Sequence, residues 1–195
     1  MRNSIAKLMI VASAFAFTPV MAAEKAYTID KDHSYVAWQI NHLGFSNQTG
    51  KWMAKGTLQL DKENLDKSKV NVTIDIKNII TGNPELDKHL FGQLFFNTKQ
   101  FPTATFVSDR IEVTGDKTAK VSGNLTLHGV TKPVTLEVTL NAEGKNPVTD
   151  KDTVGFSATA DIKRSDFGIS GFLPKLGDEV KLNIEVEAYV DQKHG

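Results

Sequence analysis

Apolar and polar residues alternate with period two along most of this chain. The stretch Ser34–Ser46, SYVAWQINHLGFS, shows the pattern most fully. Val36, Trp38, Ile40 and His42 fall on one side of a strand, and Tyr35, Ala37, Gln39 and Asn41 on the other. A strand that carries Trp and then His on its apolar side describes a greasy interior with a polar mouth. Val70, Val72, Ile74 and Ile76 repeat the alternation within a strand predicted over Val70–Ile80, and Val134, Leu136, Val138 and Leu140 within one over Pro133–Asn141. Further strands are predicted at Tyr27–Ile29, Lys55–Leu60, Thr103–Val113, Lys120–His128, Val154–Lys163 and Val180–Val190, with a turn running through Gly44 and Asn47 to Gly50. These amount to about eight strands at roughly ten-residue spacing.

One segment breaks the period. Asn83-Pro84-Glu85-Leu86 is a helix start: Asn can cap, Pro fits the first helical position, and Glu sits in the first turn. Leu86 and Leu90 share a face, Gly92 is placed to end the helix, and an aromatic tail of Phe95, Phe96 and Phe101 follows. One short helix inside a strand-rich chain is the expectation.

Strict alternation means that each strand has one wet and one apolar face. Short connections make neighbours in sequence antiparallel neighbours in space. A sandwich and an up-and-down barrel both satisfy this, and periodicity does not choose between them. The difference matters, because an eight-stranded barrel has room for one apolar ligand.

The first residues lie outside this pattern. Arg2 and Lys7 are basic, Leu8–Phe17 is almost wholly apolar, and Val20-Met21-Ala22-Ala23 offers small residues for cleavage. That is the layout of a secretory signal peptide, residues 1–22, cut after Ala22 or Ala23. Residues 23–195 then form one domain of about 170 residues. Removing Arg2 and Lys7 from the 23 basic residues leaves 21 against 23 acids, a net charge of −2 that argues against general nucleic-acid binding. The chain has no cysteine, hence no disulfide, thiol nucleophile or zinc–thiolate site. A soluble periplasmic or secreted protein is expected.

Catalytic motifs find little support: there is no Gly-x-Ser-x-Gly elbow, P-loop or dinucleotide fingerprint. His42, His89 and His128 lack the spacing of a zinc motif and have no carboxylate cluster beside them, so no metal site is expected. His128, at a hairpin, reads as structural; His33 and His194 read as solvent residues. Arg164 and Asp166, flanking Ser165, read as a loop-bracing pair.

Five blocks taken together resemble the YceI family: WQINHLGFS (Trp38–Ser46), DKHL…FF (Asp87–Phe96), FPTATF (Phe101–Phe106), VSGNLTLHGVTKPVTLEV (Val121–Val138) and RSDFGI (Arg164–Ile169). The resemblance covers essentially the whole mature chain. It implies an all-β fold, a lipocalin-like antiparallel up-and-down barrel of about eight strands with one short helix. It also implies a periplasmic binding protein, not an enzyme, that holds an isoprenoid, quinone-type or amide lipid in its lumen and needs no catalytic cofactor. On that basis Trp38, Ile40, Phe45, Phe91, Phe95, Phe96, Phe106, Phe156 and Phe167 are expected to line the cavity. His42, His89 and Asp87 are expected to meet the ligand head at the barrel mouth. Many members carry a basic residue after the DKHL block, whereas this chain has Phe91-Gly92, which favours a neutral head over a pyrophosphate. Contact with a membrane is expected to be transient, and exposed helix aromatics or outer barrel edges leave pairing into a homodimer open. Two rival readings are an enzyme acting on a lipid head through His42 and His89, and an exported β-domain with a filled core.

Overall fold

A computed structural model describes residues 25–191. The expected signal segment, its cleavage site and His194 lie outside the described residues. Nine strands follow in order: β1 (Lys25–Ile29), β2 (Tyr35–His42), β3 (Ser46–Leu60), β4 (Lys69–Asp75), β5 (Thr103–Val113), β6 (Thr118–Leu127), β7 (Val130–Lys145), β8 (Asp152–Lys163) and β9 (Leu176–Tyr189). A helix, α1 (Pro84–Leu90), stands between β4 and β5.

From β2 onward each strand pairs antiparallel with the next, and the ring closes through β2–β9 and β1–β9. β1 and β2 together act as one broken stave: β1 pairs with β3 at Ile29↔Gly56 and with β9 at Ile29↔Ala188, while β2 pairs with β3 at Trp38↔Gly50 and with β9 at Trp38↔Leu182. The result is a closed eight-stave barrel in meander order with one helix: of the two architectures that the alternation left open, it is the barrel that the family resemblance implied.

The break between β1 and β2 is stapled to β9. Asp30 N–H donates to the Glu187 carbonyl, and the Ser34 hydroxyl accepts from Glu187 N–H at 3.1 Å. His33 Nδ1 lies 2.9 Å from the Asp30 carboxylate. That contact raises the His33 pKa. Partial burial works to raise the Asp30 pKa, but the hydrogen bonds from His33 and Asp32 N–H outweigh it and the net shift is downward.

Several predicted boundaries move: β7 is longer at both ends than Pro133–Asn141, and β9 starts at Leu176 instead of Val180. β3 starts at Ser46 instead of Lys55, because polar Ser46–Gln48 continue the ladder with β2 (His42↔Ser46, Ile40↔Gln48) and the turn shrinks to Leu43–Phe45. β4 ends at Asp75, where its carboxylate accepts from Lys77 N–H and starts a 3-10 turn over Ile76–Asn78. The β6–β7 turn falls on His128-Gly129, both at positive φ (52° and 74°), the two-residue geometry whose twist matches a hairpin.

At one end of the barrel lies the cap. Asn83 caps α1 by accepting from Glu85 and Leu86 N–H. Phe91 ends the helix, and the chain folds back so that Phe96 N–H reaches the Leu90 carbonyl at 3.0 Å. This turn feeds Phe95 and Phe96 beneath α1, where Trp52 meets Phe96 edge-on at 5.2 Å and Trp38 at 6.2 Å. Gly50 makes the stack possible, since a Cβ there would sit 2.5 Å from the Trp38 ring.

Arg164 holds the β8–β9 connection beside the cap. Its guanidinium is buried and donates to the carbonyls of Gly177 (2.7 Å), Ile169 (3.0 Å) and Leu176 (3.2 Å). Burial lowers its pKa, and the nearby Asp178 carboxylate opposes that shift. The expected partner is corrected here. Asp166 is exposed, and Asp178 does the bracing, accepting from both Ser165 N–H (3.0 Å) and the Ser165 hydroxyl (2.7 Å).

Replacing Arg164 with Met leaves three carbonyls without their donor. At about 1.5–3 kcal/mol for a bond to a charged group, partly offset by relaxation, the expected loss is about 3 kcal/mol or more, and Tm by calorimetry should fall by about 6–12 °C. Arg164→Lys should recover only part, because one ammonium cannot serve three divergent carbonyls. The Asp30–His33 pair gives a pH prediction. A raised imidazole pKa contributes stability that is fully present below the unfolded value near 6.5 and is lost as pH rises through the folded value. An NMR titration of His33 should report a pKa above the ordinary histidine range, and Asp30→Asn should return it there.

Candidate ligand-binding site

The inward face of all eight staves is apolar, yet it does not close on itself. Val134, Leu136, Val138 and Leu140 of β7 point inward and stay only half-buried, as do Ile184 and Val186 of β9. They face two adjoining chambers. The wide one measures about 380 Å³ and runs between Leu58, Val72, Phe106, Val121, Leu136 and Val186. The narrow one, about 130 Å³, lies under the cap against Trp38, Ile40, Trp52, Phe95, Phe96 and Leu176. Val36, Ile74, Leu125 and Leu182 line both and form a waist between them.

Along β9 the lining runs from Leu176 in the narrow chamber to Val186 in the wide one. Ten residues of strand at about 3.3 Å each, tilted about 40°, make a bore about 25 Å long. Together the chambers fall in the size range of small-molecule sites but are narrow and elongated. The narrow chamber's wall is apolar throughout. In the wide chamber the charged residues gather at the end away from α1, where Lys62, Asp116, Lys117 and Glu143 reach the surface.

The residues expected from sequence divide three ways. Trp38, Ile40, Phe95 and Phe96 line the narrow chamber, and Phe106 and Phe156 the wide one. Phe91 and Phe167 lie near the cap but outside the bore. Phe91 is the helix C-cap, packed at the edge of the core; Phe167 is buried beside the barrel, where its carbonyl meets His128 Nδ1 at 3.1 Å. The third group, expected at the mouth apart from Phe45, lines neither chamber. Phe45 is 90% exposed, since the β2–β3 hairpin carries it beyond the barrel wall. His42 ends the same strand and is exposed. His89 sits on the outer side of the cap against Phe95 (5.1 Å) and Phe172 (6.4 Å). Asp87 accepts from Thr81 N–H (3.1 Å) and the Thr81 hydroxyl (2.6 Å), bracing the approach to α1.

His33 does join one cluster among the described residues, with Asp30 and Glu187. His33 and Asp30 already pair there, and the cluster lies outside the bore. Sequence reading missed the aliphatic lining of the wide chamber as a site, although the alternation on β7 and β9 was its signal. It also missed the charged rim, which no local pattern marks.

A closed meander barrel around an apolar bore is the architecture of a lipocalin-like binding protein. The chain belongs to the YceI-like domain family, which it matches over residues 27–188. It is 43% identical over 180 residues to the protein YceI of Salmonella arizonae, covering 91% of this chain and 93% of that one. Among solved structures, the Campylobacter jejuni YceI protein superposes with a TM-score of 0.69 at 29% identity, covering 95% of this chain and 100% of that one. A polyisoprenoid binding domain from Saccharophagus degradans implicated in plant cell wall breakdown shares the fold, with a TM-score of 0.67 at 15% identity over 85% of this chain and 98% of that one.

The waist is where the two chambers share their lining. Leu182→Trp should close it, leaving the wide chamber able to take a small apolar dye such as N-phenyl-1-naphthylamine while uptake of a long polyprenol falls at least tenfold. Fluorescence titration with the dye and native mass spectrometry with the polyprenol would check both halves.

Proposed function

We propose that this chain is a periplasmic carrier that holds a long-chain isoprenoid-type lipid, a polyprenol, isoprenoid quinone or comparable amide lipid, within the barrel. The observation that carries the reading is the pair of adjoining apolar chambers inside the barrel: they share Val36, Ile74, Leu125 and Leu182, and together their linings reach from the cap to the rim. Elongation favours a chain over a compact ligand. The Saccharophagus degradans domain, described as polyisoprenoid binding, supports the same ligand class through a shared fold. Family membership supports a lipid-binding barrel.

Energetics define what such a carrier does. Burying a CH₂ group away from water is worth roughly 0.8 kcal/mol, so a tail of tens of carbons taken from water would exceed the practical ceiling of about 20 kcal/mol. A lipid drawn from a bilayer is already dry, and its transfer into the bore is close to neutral in that respect. Fit and head contacts then set the affinity. The protein ferries or stores lipid and does not strip membranes. An enzyme reading built on His42 and His89 has less support, because both lie outside the bore.

The expected signal segment at residues 1–22 supports the periplasmic assignment. Processing there would be checked by the N-terminal mass of exported protein, which should begin at Ala23 or Glu24. Native mass spectrometry of protein from the periplasm, followed by organic extraction, should find one lipid per barrel. Protein that stays empty after incubation with polyprenol- or quinone-loaded vesicles would contradict the carrier role.

A further inference from the structure

The two ends of the bore are built differently. At the capped end the polar side chains that line the cavity are engaged, apart from one buried indole N–H. Trp52 Nε1 donates to the Ile76 carbonyl, Arg164 serves three carbonyls, and Trp38 Nε1 is unpaired but buried over Gly50. A lipid head placed there would find that single N–H and would leave its remaining polar atoms unpaired in an apolar chamber, which costs several kcal/mol.

The opposite end is crossed by the β3–β4 connection, residues 61–68. Its ends are tied: Ser68 Oγ accepts from Asp61 N–H at 2.9 Å, and the Asp61 carboxylate accepts from Asn64 N–H at 2.9 Å and Glu63 N–H at 3.1 Å. Leu65, at the start of a short 3-10 turn, lines the wide chamber. Lys62 forms an ion pair with Glu143 of β7. In the ring of eight staves, β3 and β7 stand opposite each other. The pair therefore bridges the mouth and does not run along the rim. The other ion pairs among the described residues lie within one segment or between staves on the same side of the barrel.

We propose that this strapped mouth is the portal of the barrel and the site of the ligand's polar head, with the 61–68 segment as its gate and Lys62–Glu143 as its latch. The inference rests on the carrier reading above. The lipid enters tail first, the tail passes the Val36–Ile74–Leu125–Leu182 waist toward the cap, and the head stops beneath Leu65 among Lys62, Lys117 and the Ser68 hydroxyl. The ligand class this fits is a single-tailed lipid with a hydrogen-bond-accepting head. The gate opens when the latch parts, and Leu65 swings out with it. Both latch side chains are partly exposed, at 49% and 38%, so added salt weakens them and speeds exchange.

The test uses the processed chain loaded with a polyprenol and mixed with excess phosphatidylcholine vesicles, the loaded fraction being followed by native mass spectrometry. Glu143→Gln should release the polyprenol about two- to fivefold faster than wild type, the range a partly exposed ion pair of up to about 1 kcal/mol supplies, and its release should no longer respond to salt. Reversing the pair with Lys62→Glu and Glu143→Lys together should restore the wild-type rate. Because the chain has no cysteine, Lys62→Cys with Glu143→Cys introduces its only thiols. Joining them with a short bismaleimide should hold the polyprenol for at least ten times longer. Release from the cross-linked barrel at the uncross-linked rate would overturn the portal while leaving the carrier reading intact. A wild-type chain that takes up no polyprenol would overturn both.

Discussion

Closure of the hydrogen-bonded ring is the constraint on which the rest of the structure depends. Once β1 and β2 bridge β3 to β9, the barrel has no free edge and its bore is set by the number of staves. Side chains from the inward faces then meet around a space that they do not fill. Val154 and Ala188 are wholly buried where β1 leans on β8 and β9, but the inward aliphatics of β7 are not. An apolar void of this length is unfavourable when wet and forgoes packing contacts when dry. A chain-like apolar guest resolves both conditions.

The ends of the barrel manage that void by different chemistry. The cap uses aromatic bulk: Trp38 over Gly50, Trp52 on Ile76 and Phe96, and Phe95 under α1. Arg164 secures this end without an ion pair, by giving three carbonyls of the β8–β9 connection a common donor. The other end relies on a polar strap, with one leucine turned inward and one ion pair across the mouth. An aromatic plug with shared buried contacts is costly to open, whereas a strap held by exposed charges is not.

The period-two pattern revealed most of the architecture, because in a closed barrel the inward face of every stave is apolar and the outward face is wet. The helix was equally legible, since Asn83, Pro84 and Glu85 act locally. Less legible were the features that depend on pairing across the sheet. Ser46–Gln48 have no strand-like composition and join β3 only because β2 offers them a ladder. His42 follows the inward parity of Val36, Trp38 and Ile40, yet it is exposed at the end of β2. Parity does not tell where the wall stops. Attention to aromatics also favoured Phe45 over the plainer aliphatics of β7 and β9 that surround most of the bore. Lys62 and Glu143 are 81 residues apart, and nothing in either neighbourhood announces the other.

The central claim is that the bore holds a lipid chain and is not a closed core. A crystal structure of the processed protein loaded with a polyprenol measures this directly. The account predicts continuous elongated density from beneath Leu65, through the waist at Leu182, to the face of Trp52. A bore filled by repacked Trp38, Phe106 and Phe156 side chains, with no such density, would contradict it.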